Sequence, residues 1–288
     1  MQINHPKAPP IKCQGIKTRL IPFIFKSIKW KRNNGARWIE PFLGSAVVAL
    51  NLSPQHALLS DTNQHLVAFY KAIQSNEISP GSVRKFLVSE GEKLERRGAD
   101  YYYEVRERFN RYKSPFDFLF LNRSCFNGVM RFNGAGNFNV PFGHKPRRFS
   151  KAYITKIANQ IDWAARQIRG KDWEFRVANW DETLSAAQPE DFVYLDPPYL
   201  GRHTDYYNSW DEGEARRLAE ATKNLNCGFA VSMWLENRYR RNEHIRDCWS
   251  GLELRVCSHF YHVGSTENLR NRMDEALIIK PGFETTDA

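Results

Sequence analysis

The chain has 288 residues, 42% hydrophobic and 26% charged, which suits one large folded domain or two and excludes a disordered or fibrous chain. No stretch reaches the roughly 18 apolar residues of a spanning helix, and the prolines before Cys13 interrupt any secretory signal, so a cytoplasmic protein without a membrane partner is expected. The formal charge of +10 is concentrated: Met1 to Arg37 holds nine Lys or Arg and no acid, and Arg111 to Ser150 holds seven against Asp117 alone. Two basic segments on an otherwise slightly acidic chain point to a polyanion partner, with a plain solvated basic surface as the alternative. Five cysteines (Cys13, Cys125, Cys227, Cys248, Cys257) without a Cys-x-x-Cys pair argue for free thiols and against a structural metal site.

In chain order, Ala36 to Glu40 is a strand-like run that enters Pro41-Phe42-Leu43-Gly44-Ser45 and then a small apolar segment, Ala46 to Asn51, that predicts a helix. Ala57 to Ser60 predicts a second strand ending at Asp61, 17 positions after Gly44. An acid roughly 20 residues beyond a glycine-containing first turn is where Rossmann-type folds hold a ribose hydroxyl, although one glycine also fits an ordinary strand-to-helix turn. From about Thr62 to Tyr112 the pattern is helical and polar, with Val83, Phe86, Leu87 and Leu94 on one face. Asn122 to Gly143, rich in Asn, Gly, Phe and Arg, predicts a hairpin with a polar and aromatic tip suited to bases, or a structural Asn/Gly turn. Strand-like runs resume at Glu174 to Ala178, Phe192 to Leu195 and Phe229 to Met233. One α/β domain follows, with a helical and hairpin insertion between its second and third strands.

The strongest chemical signal is Phe192-Val193-Tyr194-Leu195-Asp196-Pro197-Pro198-Tyr199. An apolar run delivers a carboxylate, two prolines and an aromatic to the C-terminal end of a strand, where open α/β sheets bind ligands. Prolines stiffen the backbone and remove two donors. A carboxylate and a carbonyl side by side, next to an aromatic face, can accept both hydrogens of an amino group on a stacked planar ring. A proline-stiffened turn with a structural Asp is the plainer alternative.

Asp196 to Tyr199, with Glu40-Pro41-Phe42-Leu43-Gly44 upstream and Asn133 through Gly143 between them, resembles the Dam-type adenine-specific DNA methyltransferases (D12 class, alpha group). The likeness extends over Pro9 to Lys17, Tyr101 to Asn110, Phe118 to Gly128 and Gly201-Arg202-His203, and is greatest toward a modification enzyme of a restriction-modification system. It implies an α/β, Rossmann-like S-adenosylmethionine-dependent methyltransferase domain (1–64 and 151–288) with an inserted helical plus β-hairpin target-recognition domain (65–150). It also implies that Lys17, Glu40, Phe42, Gly44, Asp61, Trp180 and Asp196 hold the methyl donor S-adenosyl-L-methionine, with Trp180 over the adenine ring and no metal. Two departures stand out: relatives usually carry a second glycine where Ala46 stands, and often a tryptophan where Cys13 stands.

The implied catalytic residues are Asp196, Pro197, Pro198 and Tyr199. Adenine's exocyclic nitrogen is a poor nucleophile because its lone pair is delocalised into the ring. Asp196 and the Pro197 carbonyl accept its two hydrogens, Tyr199 stacks on the base, and direct transfer follows from orientation and electrostatics. The base must first be flipped out of the duplex, with Phe126 and Asn127 filling the gap or holding the unpaired thymine. The resemblance implies base contacts by Lys12, Arg131 and Asn139, then Asn133 and Asn137. Lys145, Arg147 and Arg148 are implied phosphate contacts, or a solvated face. It further implies double-stranded DNA as partner, GATATC as target with its first adenine modified, a monomer, and a cognate restriction endonuclease acting separately on the same site.

Other classes fit less well. No cysteine follows a proline, as a cytosine-C5 methyltransferase requires. No acid stands two residues before a lysine, as a PD-(D/E)xK nuclease requires. His259-Phe260-Tyr261-His262 falls short of a zinc ligand set. A non-catalytic DNA-binding regulator explains the charge but not the acids at strand ends. An amino methyltransferase with another motif, or one acting on cytosine-N4 or RNA, remains the alternative.

Overall fold

The computed structural model describes residues 5–30, 35–199, 210–237, 242–260 and 272–286. Gly201-Arg202-His203 and the Tyr261-His262 end of the histidine cluster lie outside the described residues.

Seven strands form one sheet: β1 (Arg37–Glu40), β2 (His56–Asp61), β3 (Asp172–Val177), β4 (Phe192–Leu195), β5 (Gly228–Asn237), β6 (Glu253–Phe260) and β7 (Arg272–Ile279). Their order is β3-β2-β1-β4-β5-β7-β6; pairs through β5 are parallel, whereas β7 runs antiparallel to both β5 and β6. β1 lies between β2 and β4, so the chain order reverses there, the place where open α/β sheets take their ligands.

The helices are α1 (Ile21–Ser27), α2 (Val47–Leu52), α3 (Gln64–Gln74), α4 (Pro80–Arg97), α5 (Ala99–Tyr112), α6 (Pro115–Ser124), α7 (Lys151–Ile168), α8 (Trp180–Ser185), α9 (Glu212–Lys223) and α10 (Glu243–Trp249). Local chemistry starts several of them. Asn63, Ser150 and Asp211 each accept a backbone N–H at the head of α3, α7 and α9, and Ser79 forms a reciprocal cap with Ser82 ahead of Pro80. Each cap of this kind contributes about 1 kcal/mol. No described helix is long and apolar enough to cross a membrane.

Period-two alternation divides the sheet's side chains between two cores. Ile39, Leu58, Val193, Leu195, Phe229, Val231, Ala276 and Ile278 pack with α8, α9 and α10. Trp38, Ala57, Leu59, Phe192, Tyr194, Ala230, Leu277 and Ile279 face the other way, into a core shared with α1 to α7. Helices α4 to α6 stand between β2 and β3 in sequence, as expected, and they share this core with the sheet. α3 bridges the two, contacting β2 and β3 as well as α6 and α7.

The expected hairpin is present in a short, irregular form: the Asn139 amide donates to the Arg131 carbonyl and the Asn133 amide to the Asn137 carbonyl around a turn at Asn133 to Asn137. Asn122 ends up buried inside α6, and the segment beyond it is held by two isolated antiparallel bridges, Cys125 with Phe142 and Phe132 with Phe138. Close approach makes the crossing: a side chain at Gly143 would come within 2.8 Å of the Ser124 and Cys125 carbonyl oxygens. His65 of α3 stacks on Phe132 at 5.1 Å and pins the loop to the helices. Strands β6 and β7 were not among the expected elements.

Candidate active site

Three strand ends meet at the C-terminal edge of the sheet. Glu40 closes β1, Asp61 closes β2, and Asp196 follows β4. The spacing between Gly44 and Asp61 closes physically: Asp61 Oδ2 accepts the Gly44 amide at 2.9 Å and Oδ1 accepts the Asn63 amide at 2.8 Å. Burial raises the Asp61 pKa, opposed by these two amides. A carboxylate has about four acceptor sites, so two remain for hydroxyl donors. Gly44 takes φ +49°, and Ala46, where relatives usually have a second glycine, takes φ +55°. An L residue with a Cβ in this left-handed region carries strain of about 1 kcal/mol, which gives a physical reason for glycine there. Ala46 is fully buried at the head of α2 and still makes the turn, its amide donating to the Leu43 carbonyl.

Glu40 is buried and accepts the Trp38 indole N–H at 2.7 Å. Burial pushes its carboxyl up to about 8, opposed by that indole. Phe42 is half-buried and meets Trp210 edge-on at 5.6 Å. Cys13 lies beside the Gly44 turn, within 3.6 Å of where a Gly44 side chain would begin. Burial, with the Asp61 and Asp196 carboxylates, raises its thiol pKa to about 12. Trp180 opens α8 beyond β3, as its sequence position suggested. It is buried against Ile39 and Leu58, with its indole N–H donating to Glu214 at 3.2 Å.

Lys17 is at the centre of the site, only 2% exposed. Its ammonium donates to the Gly15 carbonyl at 3.1 Å and to the Tyr199 hydroxyl at 2.6 Å, and pairs with Asp196 Oδ1 at 3.0 Å. These three contacts use its three protons, so it binds the Asp-Pro-Pro-Tyr turn directly, and meeting a cofactor carboxylate would require it to release one partner. Burial pulls its pKa down, but Asp196, Tyr199 and Glu275 outweigh that and hold it well above the usual range.

Asp196 Oδ1 also accepts the Ser232 hydroxyl at 3.0 Å, and Ser232 in turn accepts from Tyr194 at 2.9 Å. Both donors from the described residues converge on Oδ1, which leaves Oδ2 for an incoming N–H. Burial raises the Asp196 pKa, opposed by Lys17 and reinforced by Glu275. Tyr199 donates its hydroxyl proton to Glu275 Oε2 at 2.9 Å.

Sequence reasoning missed Tyr194, Ser232 and Glu275. Tyr194 was legible in principle, since two residues before Asp196 on a strand means the same face. Ser232 was signalled by a lone hydroxyl within the apolar run Phe229 to Met233.

The two basic segments meet where Lys12 crosses α6. The Lys12 backbone exchanges both its hydrogen bonds with the Asn122 side chain, at 2.9 Å each, and its aliphatic stem packs where Gly128 has no side chain. Burial lowers its ammonium pKa, with Arg148 and Arg123 adding to the effect. Phe126 is 51% exposed on a one-turn 3-10 helix in which Asn127 adopts φ +53°.

Arg131 donates to Asn139 Oδ1 at 2.8 Å, so this expected pair of base readers lies side by side. Asn133 uses its side-chain oxygen to accept the Ala135 and Asn137 amides, the structural role weighed for it, and Asn137 accepts from Lys113. Lys145 and Arg147 are exposed, Arg147 paired with Glu95 at 2.9 Å. Arg148 is partly buried, donating to the Arg123 carbonyl and to the Tyr153 hydroxyl.

Among proteins of known family, a model of the D12 class N6 adenine-specific DNA methyltransferases matches residues 14–267. The Type II methyltransferase M.MjaIII of Methanocaldococcus jannaschii is 30% identical over 259 residues, 80% of this chain and 84% of that protein. The DNA adenine methylase of Salmonella typhi is 28% identical over 276 residues, 91% of this chain and 93% of that one. That of Haemophilus influenzae is 28% identical over 286 residues, 94% and 93%. A sheet of this order with its reversed β7, an Asp-Pro-Pro-Tyr turn at the end of β4, and a family match across most of the length lead to one conclusion: the chain belongs to the D12 class of N6 adenine-specific DNA methyltransferases.

Proposed function

We propose that this enzyme is the modification methyltransferase of a restriction-modification system, acting on a flipped-out adenine in duplex DNA, with the first adenine of GATATC as its target. The target is inferred from the resemblance described above, which we read as greatest toward the EcoRV modification methyltransferase, and the Type II relative supports the setting. On this reading the protein acts as a cytoplasmic monomer, and a separate endonuclease cuts the same unmodified site.

The observation that carries the site assignment is the asymmetry of Asp196. Its Oδ1 is held by Lys17 and Ser232, and its Oδ2 is left to accept from the substrate. Asp196 and the Pro197 carbonyl take the two amino hydrogens of adenine, which turns the nitrogen lone pair toward the incoming methyl group. Pro198 stiffens the turn, and Tyr199 presents its ring to the base. Most of the rate gain then comes from orientation and fixed charge.

Glu40, Phe42, Gly44 and Asp61 surround the place for S-adenosyl-L-methionine, which supplies an electrophilic methyl on a sulfonium sulfur. The residues fit such a group: a positive-φ turn, a carboxylate with spare acceptor sites and a buried acid are all at the same sheet edge. Trp180 covers the adenine ring, and Lys17 reaches the carboxylate by exchanging one of its present partners.

Residues 65–150 and the basic N-terminal segment read the DNA. Lys12, Arg131 and Asn139 contact bases, with Asn133 and Asn137 beside them, while Lys145, Arg147 and Arg148 hold phosphates. Phe126 and Asn127 fill the space left by the extruded adenine, the exposed ring being the type of group such a wedge needs.

Base-resolved modification mapping tests the whole reading, using unmethylated plasmid incubated with S-adenosyl-L-methionine and the wild-type or Asp196→Ala enzyme. Methyladenine confined to GATATC, and absent with the variant, is the expected result. Methyladenine at another motif rejects the target, and methylcytosine or modified RNA rejects the base assignment.

A further inference from the structure

Glu275 is a carboxylate in the middle of a buried strand, 1% exposed and flanked in register by Trp234 of β5 and Cys257 of β6. A buried acid carries a cost unless it is partnered. Its partner is the Tyr199 hydroxyl at 2.9 Å, which in turn accepts from Lys17 at 2.6 Å. Tyr199 is thereby fixed at the far end of its ring, with both hydroxyl directions used.

We propose that Glu275 is a positioning residue for methyl transfer, holding Tyr199 by its hydroxyl and keeping a second carboxyl group beside Asp196. The proposal rests on the roles given above to Asp196 and Tyr199. The groups facing Asp196 are Lys17 from the N-terminal segment, Glu40 of β1, Tyr194 of β4, Tyr199, Ser232 of β5, Glu275 of β7 and the thiol of Cys13. Cys257 of β6 faces Glu275 from its other side. Lys17 is the one cation among these groups, and it is shared between Asp196 and the tyrosine that Glu275 holds. During transfer the amino nitrogen gains the methyl carbon, the leaving sulfur keeps the bonding pair, and one proton of the nitrogen passes to Asp196. A second carboxylate nearby raises the proton affinity of Asp196 and so favours that passage.

The test is single-turnover methylation by Glu275→Gln across pH, beside Asp196→Asn. The glutamine keeps an oxygen for Tyr199 but removes the charge. Binding of S-adenosyl-L-methionine and of DNA, and the fluorescence of 2-aminopurine at the target position, are expected to stay within about twofold of wild type. The methylation rate at neutral pH falls by about tenfold, about the difference between a hydrogen bond to a carboxylate and one to a neutral amide. The acid limb of the profile moves to lower pH, because Asp196 loses a neighbour that raised it.

A wild-type rate and pH limb in Glu275→Gln, with Asp196→Asn inactive, overturns the role of Glu275 alone. An active Asp196→Asn overturns the underlying reading instead. Should Glu275→Gln fail to bind the methyl donor, Tyr199→Phe carries the test. It removes the bridging hydroxyl and keeps the ring, so an unchanged rate there overturns the proposal and a slowed rate with unchanged binding supports it.

Discussion

At the scale of single residues, the acid at the end of β1 is unusual because it is neutral over much of the physiological range. Burial, helped by Asp196, pushes Glu40 up to about 8 against hydrogen bonds from the Trp38 indole and the Ala49 backbone. The sign for stability follows: a pKa raised on folding contributes stability fully present below the unfolded value and lost as pH rises through about 8. S-adenosyl-L-methionine carries positive charge at its sulfonium and its ammonium, and a neighbouring positive charge favours the ionised carboxyl. Glu40 is therefore expected to give up its proton when the methyl donor binds at pH 7. Calorimetric titration in two buffers of different ionisation enthalpy measures this directly. Net proton release in the wild type that vanishes in Glu40→Gln is expected; equal heats in both buffers would reject it. At the same scale Ala46 shows how far a motif can be followed. The resemblance marks the position, but only the backbone, at φ +55°, shows what kind of departure an alanine makes there.

Among the elements, the inserted helices are tied together by one guanidinium. Arg108 of α5 donates to Glu90 of α4 at 2.7 Å and to Asp117 of α6 at 2.8 and 2.5 Å. Both acids are buried. Burial raises the Glu90 pKa, but bonds from Lys93, Tyr101 and Arg108 outweigh it, so its stabilisation is present above the unfolded pKa and lost as pH falls through the folded value. Arg108→Met leaves two buried carboxylates without this partner and is expected to cost about 3 kcal/mol. Lys93→Ala, at a more exposed pair, should cost under about 1 kcal/mol. Urea melts of the two variants check the contrast, and equal midpoints would mean that Arg108 is not the hub.

Legibility in the sequence differs from element to element for related reasons. β1, β2 and β4 are short apolar runs ending in turn chemistry, and the Gly44 to Asp61 spacing is a real hydrogen bond, so these could be read directly. The segment after α6 could be read only as a hairpin and not in its detail, because it is held by isolated bridges and close glycine packing and lacks the ladder that alternation encodes. β7 was missed because Asp274 and Glu275 cut its apolar run down to Ala276 to Ile279, and Glu275 makes sense only beside Tyr199, 76 residues earlier.

For the whole molecule, the folding of the N-terminal segment onto α6 turns two basic stretches into one surface. Lys12 is bonded through its backbone to Asn122, and Arg148 lies over the Tyr153 ring at 4.2 Å with its Nε on the Arg123 carbonyl. The cations on this surface are nevertheless not equivalent. Arg147 is exposed and, among the described residues, paired with an exposed glutamate, a pairing worth little in water, whereas Arg148 is built into the packing between α6 and α7. Displacing counterions from phosphates makes affinity fall with salt at about 0.9 decades per decade for each phosphate neutralised. Arg147→Ala is therefore expected to leave the thermal midpoint unchanged and to make the salt dependence of DNA affinity shallower by about 0.9. Arg148→Ala should lower the thermal midpoint as well, since it removes a hydrogen bond and a ring contact from inside the protein. Binding titrations on one duplex between low and moderate salt separate the two. A slope unchanged in Arg147→Ala would mean that this face is merely solvated, and that the phosphate-binding surface has to be sought nearer Lys12.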